Sequence, residues 1–89
     1  MEVSMSDQTV ERLIAEGETL LKDERSQEAL GVFERALELA PHQARAWNGK
    51  GLALSRLDRD EESLAAYVRA TGEDMTYSGA WRNLGVQYR

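Results

Sequence analysis

Histidine and cysteine, which form many catalytic nucleophile–base pairs, are scarce in this sequence. The 89-residue chain has one histidine, His42, and no cysteine, so thiolate chemistry and Cys–His pairs are excluded. His42 follows Pro41, where a loop is expected, and no serine stands at a spacing that suggests a nucleophile paired with this base. We therefore expect that the protein is not an enzyme.

A candidate for a cation-binding site is the acidic run Asp-Arg-Asp-Glu-Glu at residues 58–62. The run lacks the alternating ligands and the central glycine of a calcium loop. Carboxylates at the start of a helix are stabilised by the helix dipole, and this explains the run without a ligand. The sequence also has no glycine-rich phosphate loop after a strand. We expect neither a metal nor any other cofactor.

The composition argues against several other classes of protein. The net charge is −5 and the isoelectric point is near 4.8, whereas a nucleic-acid-binding protein needs a basic face that displaces counterions. No apolar run approaches the ~20 residues that span a bilayer, and the first nine residues lack the basic and apolar regions of a secretory signal. We expect one soluble, cytoplasmic domain that binds neither nucleic acid nor membrane.

The chain repeats itself at an interval of thirty-four residues. At this interval glycines align with glycines, large apolar residues with aromatic ones, and alanines with alanines. The aligned sets are Gly17, Gly51 and Gly85; Leu13, Trp47 and Trp81; Leu20, Leu54 and Tyr88; Phe33 and Tyr67; and Ala36 and Ala70. So many matches at one interval indicate an internal repeat, which is typical of solenoid proteins.

Within each unit, apolar residues recur at intervals of three and four, which predicts two helices with one inward face each. Ser26 and Asp60 stand where they could cap the second helix of each unit. Pro41 closes the first unit, because proline cannot continue a helix. The predicted helices lie near residues 7–22, 26–39, 43–56, 60–72 and 77–88, after a flexible N-terminal tail at residues 1–9.

These features resemble the tetratricopeptide repeat family, whose pattern is W-x2-L-G-x2-Y, then A-x3-F, a small residue and a closing proline. Residues 81–88 match the first half, and Ala29, Phe33, Ala36 and Pro41 match the second. The resemblance implies an all-α fold, an α-α superhelix that forms a right-handed solenoid of helical hairpins. It divides the chain into a repeat at 10–43, a second repeat at 44–77, and a C-terminal capping helix at 78–89, which is the first helix of a third repeat.

The aligned glycines are expected where two helices approach most closely. Such a contact outweighs the cost of a glycine in a helix, about 1 kcal/mol. Large side chains then fill the wider spaces of the core, and we expect the capping helix to turn Trp81, Leu84, Gly85 and Tyr88 inward. The other aromatic residues expected in the core are Phe33, Trp47 and Tyr67.

In this family the first helices of successive repeats line a concave groove in which ligand peptides lie. By that resemblance the N-terminal end of the groove is lined by Glu11, Ile14 and Glu18 and is acidic. The C-terminal end is rich in arginine, and Val86 and Arg89 also face the groove there. Arginine forms forked hydrogen bonds to carboxylates, and asparagine can pair with a peptide backbone. We therefore expect a peptide or protein partner of acidic character. The candidate binding residues are Arg45, Asn48, Leu52, Arg56, Arg82 and Asn83.

Two alternatives stay open. In the first, the arginines are solvated groove residues that pair with acidic residues of neighbouring turns. In the second, the module is structural and self-associates, or stacks on other repeats, through its terminal helices. About three repeats are usually needed for a stable solenoid, and this chain has two and a half. A weak homo-oligomer would follow from this second alternative.

One specialised ligand of the family is the C-terminal carboxylate of cytosolic chaperones, which is clamped by lysine, asparagine and arginine side chains of the first helices. The corresponding positions here hold Ile14, Glu18, Gly49, Gly79 and Asn83. None of these positions carries the residue expected at that place; Asn83, for example, stands where an arginine is expected. Glu18 would moreover repel a carboxylate. We do not expect this ligand.

Overall fold

The computed structural model describes residues 5–76 and 78–87, with side chains at 8–76, 79, 81–83 and 85. Five helices and no strand occupy these ranges, which confirms the predicted all-α fold. The helices are α1 (Met5–Lys22), α2 (Ser26–Leu39), α3 (Ala44–Arg56), α4 (Asp60–Glu73) and α5 (Ser78–Gln87). The predicted tail at 1–9 is wrong for residues 5–9, which belong to α1; residues 1–4, 88 and 89 lie outside the described residues.

The turn inside each hairpin is built in the same way in both repeats. Glu24 and Asp58 have left-handed backbone angles, with φ of 61° and 60°. The next residue, Arg25 or Arg59, donates its backbone N–H to the carbonyl five residues earlier at 2.9 Å, which satisfies an open carbonyl at the end of the first helix. This shared geometry explains why the two turns keep the thirty-four-residue register.

The second helices are not capped as the sequence suggested. Arg25 and Arg59 occupy the N-cap positions and make no side-chain cap, whereas Ser26 is the first residue of α2. Each arginine instead pairs with a glutamate three residues later, Arg25 with Glu28 at 2.6 Å and Arg59 with Glu62 at 2.7 Å. These pairs are exposed to solvent, so they add little to the stability of the fold.

The core depends on aromatic rings that pack on glycine. A Cβ atom at Gly17 would lie 2.6 Å from the ring of Phe33, and one at Gly51 would lie 2.7 Å from the ring of Tyr67. These distances confirm the close approach predicted at both glycines. Gly49 meets the other side of Phe33 even more closely, which the sequence did not indicate. Phe33 of α2 is therefore held between α1 and α3.

The helices form two layers that differ in spacing. Along the described chain, α1 contacts α3 and α3 contacts α5, whereas α2 and α4 do not contact each other. A stack of hairpins curves towards the side on which its helices lie closest together, so α1, α3 and α5 form the concave side. The second helices, α2 and α4, stand apart on the convex side.

Candidate peptide-binding groove

The six predicted binding residues lie in the concave layer. Four of them are on α3, at intervals of three and four, which places them on one face of that helix. The other two, Arg82 and Asn83, are on α5. The side-chain amide of Asn83 donates to the side-chain oxygen of Asn48 at 3.0 Å, so α3 and α5 are in contact at these two asparagines.

Arg45 is already engaged by acidic residues of α1. Its guanidinium lies 2.9 Å from a carboxylate oxygen of Glu18 and 3.4 Å from one of Glu11. All three side chains are partly exposed, so the pairs add little stability, but they tie α1 to α3 and neutralise the arginine. At Arg45, the alternative of an arginine paired with neighbouring acids is the arrangement that the structure contains.

Arg56 is also partly engaged, by the backbone of α1. It donates a hydrogen bond to the carbonyl of Leu21, in the last turn of that helix. Carbonyls at a helix C-terminus lack partners within the helix, and a cation there also interacts well with the helix dipole. A guanidinium has five N–H donors, so Arg56 can hold this carbonyl and still bind a second group.

A cavity of about 390 Å³ opens between α1 and α3 beside Arg56. Leu21 and Leu52 contribute apolar surface to it, whereas Glu18, Lys22 and Arg56 contribute charge. Lys22 and Arg56 also line a neighbouring cavity of about 510 Å³ at the same end of the helices. Sequence reasoning missed Lys22; its position in the last turn of α1, opposite Arg56 in the last turn of α3, was the available signal.

Other predicted groove residues differ in their surroundings. Ile14 does not face the groove, because it is completely buried in the core under the contact of α1 with α2 and α3. Arg82 is exposed and has no acidic partner among the described side chains. The side chains of Val86 and Arg89 lie outside the described residues.

Comparison with known proteins identifies the family of this chain. Residues 14–78 match the model of the tetratricopeptide repeat family. The chain belongs to the tetratricopeptide repeat family. A peroxisomal targeting signal receptor of Candida albicans is 34% identical over 64 residues, a match that covers 72% of this chain and 11% of that protein. Since the chain spans about one ninth of the length of this relative, the comparison concerns a repeat segment rather than a whole receptor.

The last helix of this tetratricopeptide module is less buried than predicted. Trp81 was expected in the core, but 47% of it is exposed, and a Cβ atom at Gly85 would meet no described atom within 4 Å. The indole N–H of Trp81 donates to the carbonyl of Met75 at 2.8 Å. No described helix covers this face of α5. The inward positions predicted for the side chains of Leu84 and Tyr88 lie outside the described residues.

His42 lies outside the groove and is hydrogen-bonded to Glu73 of α4. Its Nδ1 donates to a carboxylate oxygen of Glu73 at 2.8 Å, and Arg69 donates to the other oxygen at 3.1 Å. The hydrogen bond from His42 is the main cause that lowers the pKa of Glu73, and Arg69 lowers it further. The pair links the loop after α2 to the end of α4.

Two other kinds of site are absent from the described residues. Among the side chains that the structure describes, no group of three or more His, Asp or Glu residues could hold a metal ion. Within the same part of the chain, no helix is both long and apolar enough to cross a membrane.

Proposed function

We propose that this tetratricopeptide module binds a peptide, or a segment of a partner protein, in the groove formed by α1, α3 and α5. The segment carries acidic side chains, and it is recognised without any catalysed reaction. The observation that carries the proposal is the cavity between α1 and α3, which combines the apolar surface of Leu21 and Leu52 with the cations Lys22 and Arg56. Glu18 also lines this cavity, but its carboxylate is paired with Arg45.

The distribution of charge supports an acidic partner. Helix α3 has no acidic residue, and two of its three cations, Arg45 and Arg56, lie on the groove face, whereas Lys50 pairs with Glu34 of α2; α5 adds Arg82. Since Arg45 is neutralised by Glu11 and Glu18, the cations that remain for a ligand are Lys22, Arg56 and Arg82. Arginine binds carboxylates through two parallel hydrogen bonds. The related protein is by name a receptor for a targeting signal, which supports recognition of a segment of another protein.

The test is a calorimetric titration with an acidic peptide pool, a matched pool in which glutamine replaces glutamate, and a basic pool. We expect the acidic pool to bind best. Changing Lys22→Glu or Arg82→Glu should weaken binding about tenfold, since hydrogen bonds to charged groups contribute roughly 1.5–3 kcal/mol. Arg35→Glu, on exposed α2, makes the same change in net charge outside the groove and is the matched control.

The outcome that contradicts the proposal is equally definite. If basic peptides bind best, or if Arg35→Glu weakens binding as much as Lys22→Glu, the groove has been assigned wrongly. Backbone amide shifts on titration locate the ligand independently. They should concentrate on α1 and α3; shifts confined to α2 and α4 would exclude the groove.

A second candidate function is self-association or stacking through the C-terminal helix, and the exposed face of α5 favours it. Trp81 is 47% exposed and Gly85 is exposed beside it, whereas the equivalent Gly17 and Gly51 are covered by aromatic rings. Burial of Trp81 against a second copy would produce a weak homo-oligomer. Sedimentation at increasing concentration should then show a dimer that Trp81→Ser abolishes; a monomer at every concentration would contradict this function.

The cytoplasmic location expected from the sequence is part of the same proposal. It is consistent with a binding module of acidic composition that carries no cysteine. Imaging of a fluorescent fusion in the source cells would test it.

A further inference from the structure

Both helical hairpins of the molecule are closed by an aromatic ring that packs on a glycine. In the first hairpin, a Cβ atom at Gly17 of α1 would lie 2.6 Å from the ring of Phe33 on α2. In the second, a Cβ atom at Gly51 of α3 would lie 2.7 Å from the ring of Tyr67 on α4. Both glycines are buried, and the two aromatic residues are only 0 and 2% exposed. The second helix of each hairpin thus covers the glycine of the first helix with a ring.

The third glycine of this series, Gly85 on α5, has no ring on it among the described side chains. It follows Gly51 by thirty-four residues, it is exposed, and a Cβ atom there would meet no described atom within 4 Å. Trp81 precedes it by four residues, which places both on one side of α5, and 47% of this tryptophan is exposed. The hydrogen bond from its indole N–H to the carbonyl of Met75 fixes the ring in position. Trp81 and Gly85 form a surface that is here called the open face of α5.

The two rings that cover glycines are each flanked by small residues at the same intervals. A small residue stands four positions before each ring, and an alanine stands three positions after it. These small residues are Ala29 and Ala36 beside Phe33, and Ser63 and Ala70 beside Tyr67, and all four are completely buried. Intervals of three and four place them on the same face of the helix as the ring. The pattern small-x3-aromatic-x2-alanine is therefore the one by which a helix of this molecule covers such a glycine.

The first small position of the pattern can also add a polar contact. The hydroxyl of Ser63 donates to the carbonyl of Gly51 at 2.7 Å, so a serine here binds the backbone of the glycine that the ring covers. Ala29 packs at the equivalent place of the first hairpin without a hydroxyl. Alanine and serine are thus both compatible with the interface, and the aromatic ring is the feature that the two hairpins share.

We propose that the open face of α5 is a docking site for an amphipathic helix of a partner protein, which completes a third hairpin across two molecules. The helix carries the pattern small-x3-aromatic-x2-alanine. Its aromatic ring packs on Gly85 beside Trp81, as the rings of Phe33 and Tyr67 pack on their glycines. The occupant follows from continuity with two interfaces that the molecule already contains, because α5 extends the layer of α1 and α3, whose equivalent faces are covered in this way.

A folded second copy of this chain does not supply such a helix from its described residues. Helices α2 and α4 have the pattern, but their rings are 0 and 2% exposed because they cover the copy's own glycines. The occupant is therefore a helix of a different protein. The inference rests on the stacking through α5 that the second candidate function describes, and it names a partner helix in place of a second copy. It does not depend on the acidic segment proposed for the concave groove.

The test uses the isotope-labelled full chain and a synthetic peptide with the sequence of α2, Ser26–Leu39. This peptide contains the pattern and has neither tryptophan nor tyrosine. Blocked ends remove the terminal charges that oppose helix formation. We expect saturable shifts of the Trp81 indole N–H, which Trp81→Phe assigns by removing its signal, and of backbone amides of α5. A matched peptide with Phe33→Ala should bind at least tenfold more weakly, since the ring supplies most of the apolar contact.

The variant Gly85→Ala locates the site on the chain itself. Its methyl group occupies the space that the ring needs, because the equivalent Cβ atoms would lie 2.6 and 2.7 Å from the rings that cover Gly17 and Gly51. Binding of the α2 peptide should therefore weaken about tenfold. Alanine has a higher helix propensity than glycine, so thermal melts should show that this variant is folded. The matched control is Gly31→Ala, which should leave binding unchanged, because Gly31 is exposed on α2 and a Cβ atom there also meets no described atom within 4 Å.

Several results would overturn the inference. They are unchanged Trp81 signals, equal binding of the two peptides, an equal loss in Gly31→Ala, and shifts that concentrate on α1 and α3 instead of α5. Sedimentation that shows a second copy bound through Trp81 would do the same, whereas a monomer that binds the peptide contradicts self-association alone. Binding of acidic peptides in the concave groove should survive Gly85→Ala, so the groove and the open face of α5 can fail separately.

Discussion

The joint between α2 and α3 and the joint between α4 and α5 occupy equivalent places in the two repeats, yet they are built differently. In the first, Phe33 is completely buried between Gly17 and Gly49. In the second, the position equivalent to Gly49 is Asn83, which donates to Asn48 at 3.0 Å. At the first joint an aromatic ring packs between two backbones, whereas at the second the equivalent position makes a polar side-chain contact with α3.

Other positions of the second repeat also differ from their equivalents in the first. Ser63 stands where the first repeat has Ala29, and its buried hydroxyl donates to the carbonyl of Gly51 at 2.7 Å. Met75 stands where the first repeat has Pro41, and it is 75% exposed. The difference teaches that one repeat pattern can specify the same backbone geometry with unequal packing. Stability should therefore be concentrated at the first joint.

The largest expected effect is at the ring that spans the first joint. Phe33→Ala removes contacts with both α1 and α3, and loss of a buried phenylalanine costs about 3–5 kcal/mol. Tyr67→Ala is the matched change in the second repeat and should cost less, because the ring of Tyr67 packs closely on one glycine, Gly51. Urea denaturation followed by circular dichroism measures both losses. A larger loss at Tyr67 than at Phe33 would contradict the unequal packing.

A smaller effect is expected at the glycines of the two joints. Gly49→Ala forces a methyl group into the ring of Phe33, and overpacking of this kind costs about 1–3 kcal/mol. Gly85→Ala makes the same change where a Cβ atom meets no described atom within 4 Å. There the higher helix propensity of alanine should stabilise the protein by up to about 1 kcal/mol. Thermal melts should thus shift in opposite directions; a shift of the same sign in both would refute the comparison.

The helices and turns were predictable because the residues that specify them recur at a fixed spacing in the sequence. The recurrence of Gly17 and Gly51, and of Phe33 and Tyr67, fixed the helices, the turns and the contacts between them to within two residues at the described ends. The state of Arg45 was not predictable, since its pairing with Glu11 and Glu18 depends on the distance between two helices. The exposure of Trp81 was missed for a similar reason: its type and spacing are those of a core residue, but no described helix covers it.

The smallest expected effect is a loss of stability at acidic pH in the turn before α5. Hydrogen bonds from His42 and Arg69 lower the pKa of Glu73, and those from the hydroxyl and the backbone N–H of Thr76 lower the pKa of Asp74. A carboxylate whose pKa is depressed in the folded state stabilises that state above its unfolded pKa, roughly 3.9–4.3. This contribution is lost as the pH falls through the folded pKa. Acid should therefore loosen the second joint before the first.

The check is hydrogen exchange of the backbone amides from about pH 6 down to about pH 3, after correction for the intrinsic pH dependence of exchange. Protection in α5 and in the last turn of α4 should fall first, while α1 and α2 stay protected. Glu73→Gln and Asp74→Asn cannot ionise, so each should lower protection near neutral pH and flatten the profile below it. Glu61→Gln, on the exposed surface of α4, is the control and should leave the profile unchanged. Equal loss of protection in all five described helices would mean that the two joints respond to acid as one unit, and that the polar joint is no weaker than the aromatic one.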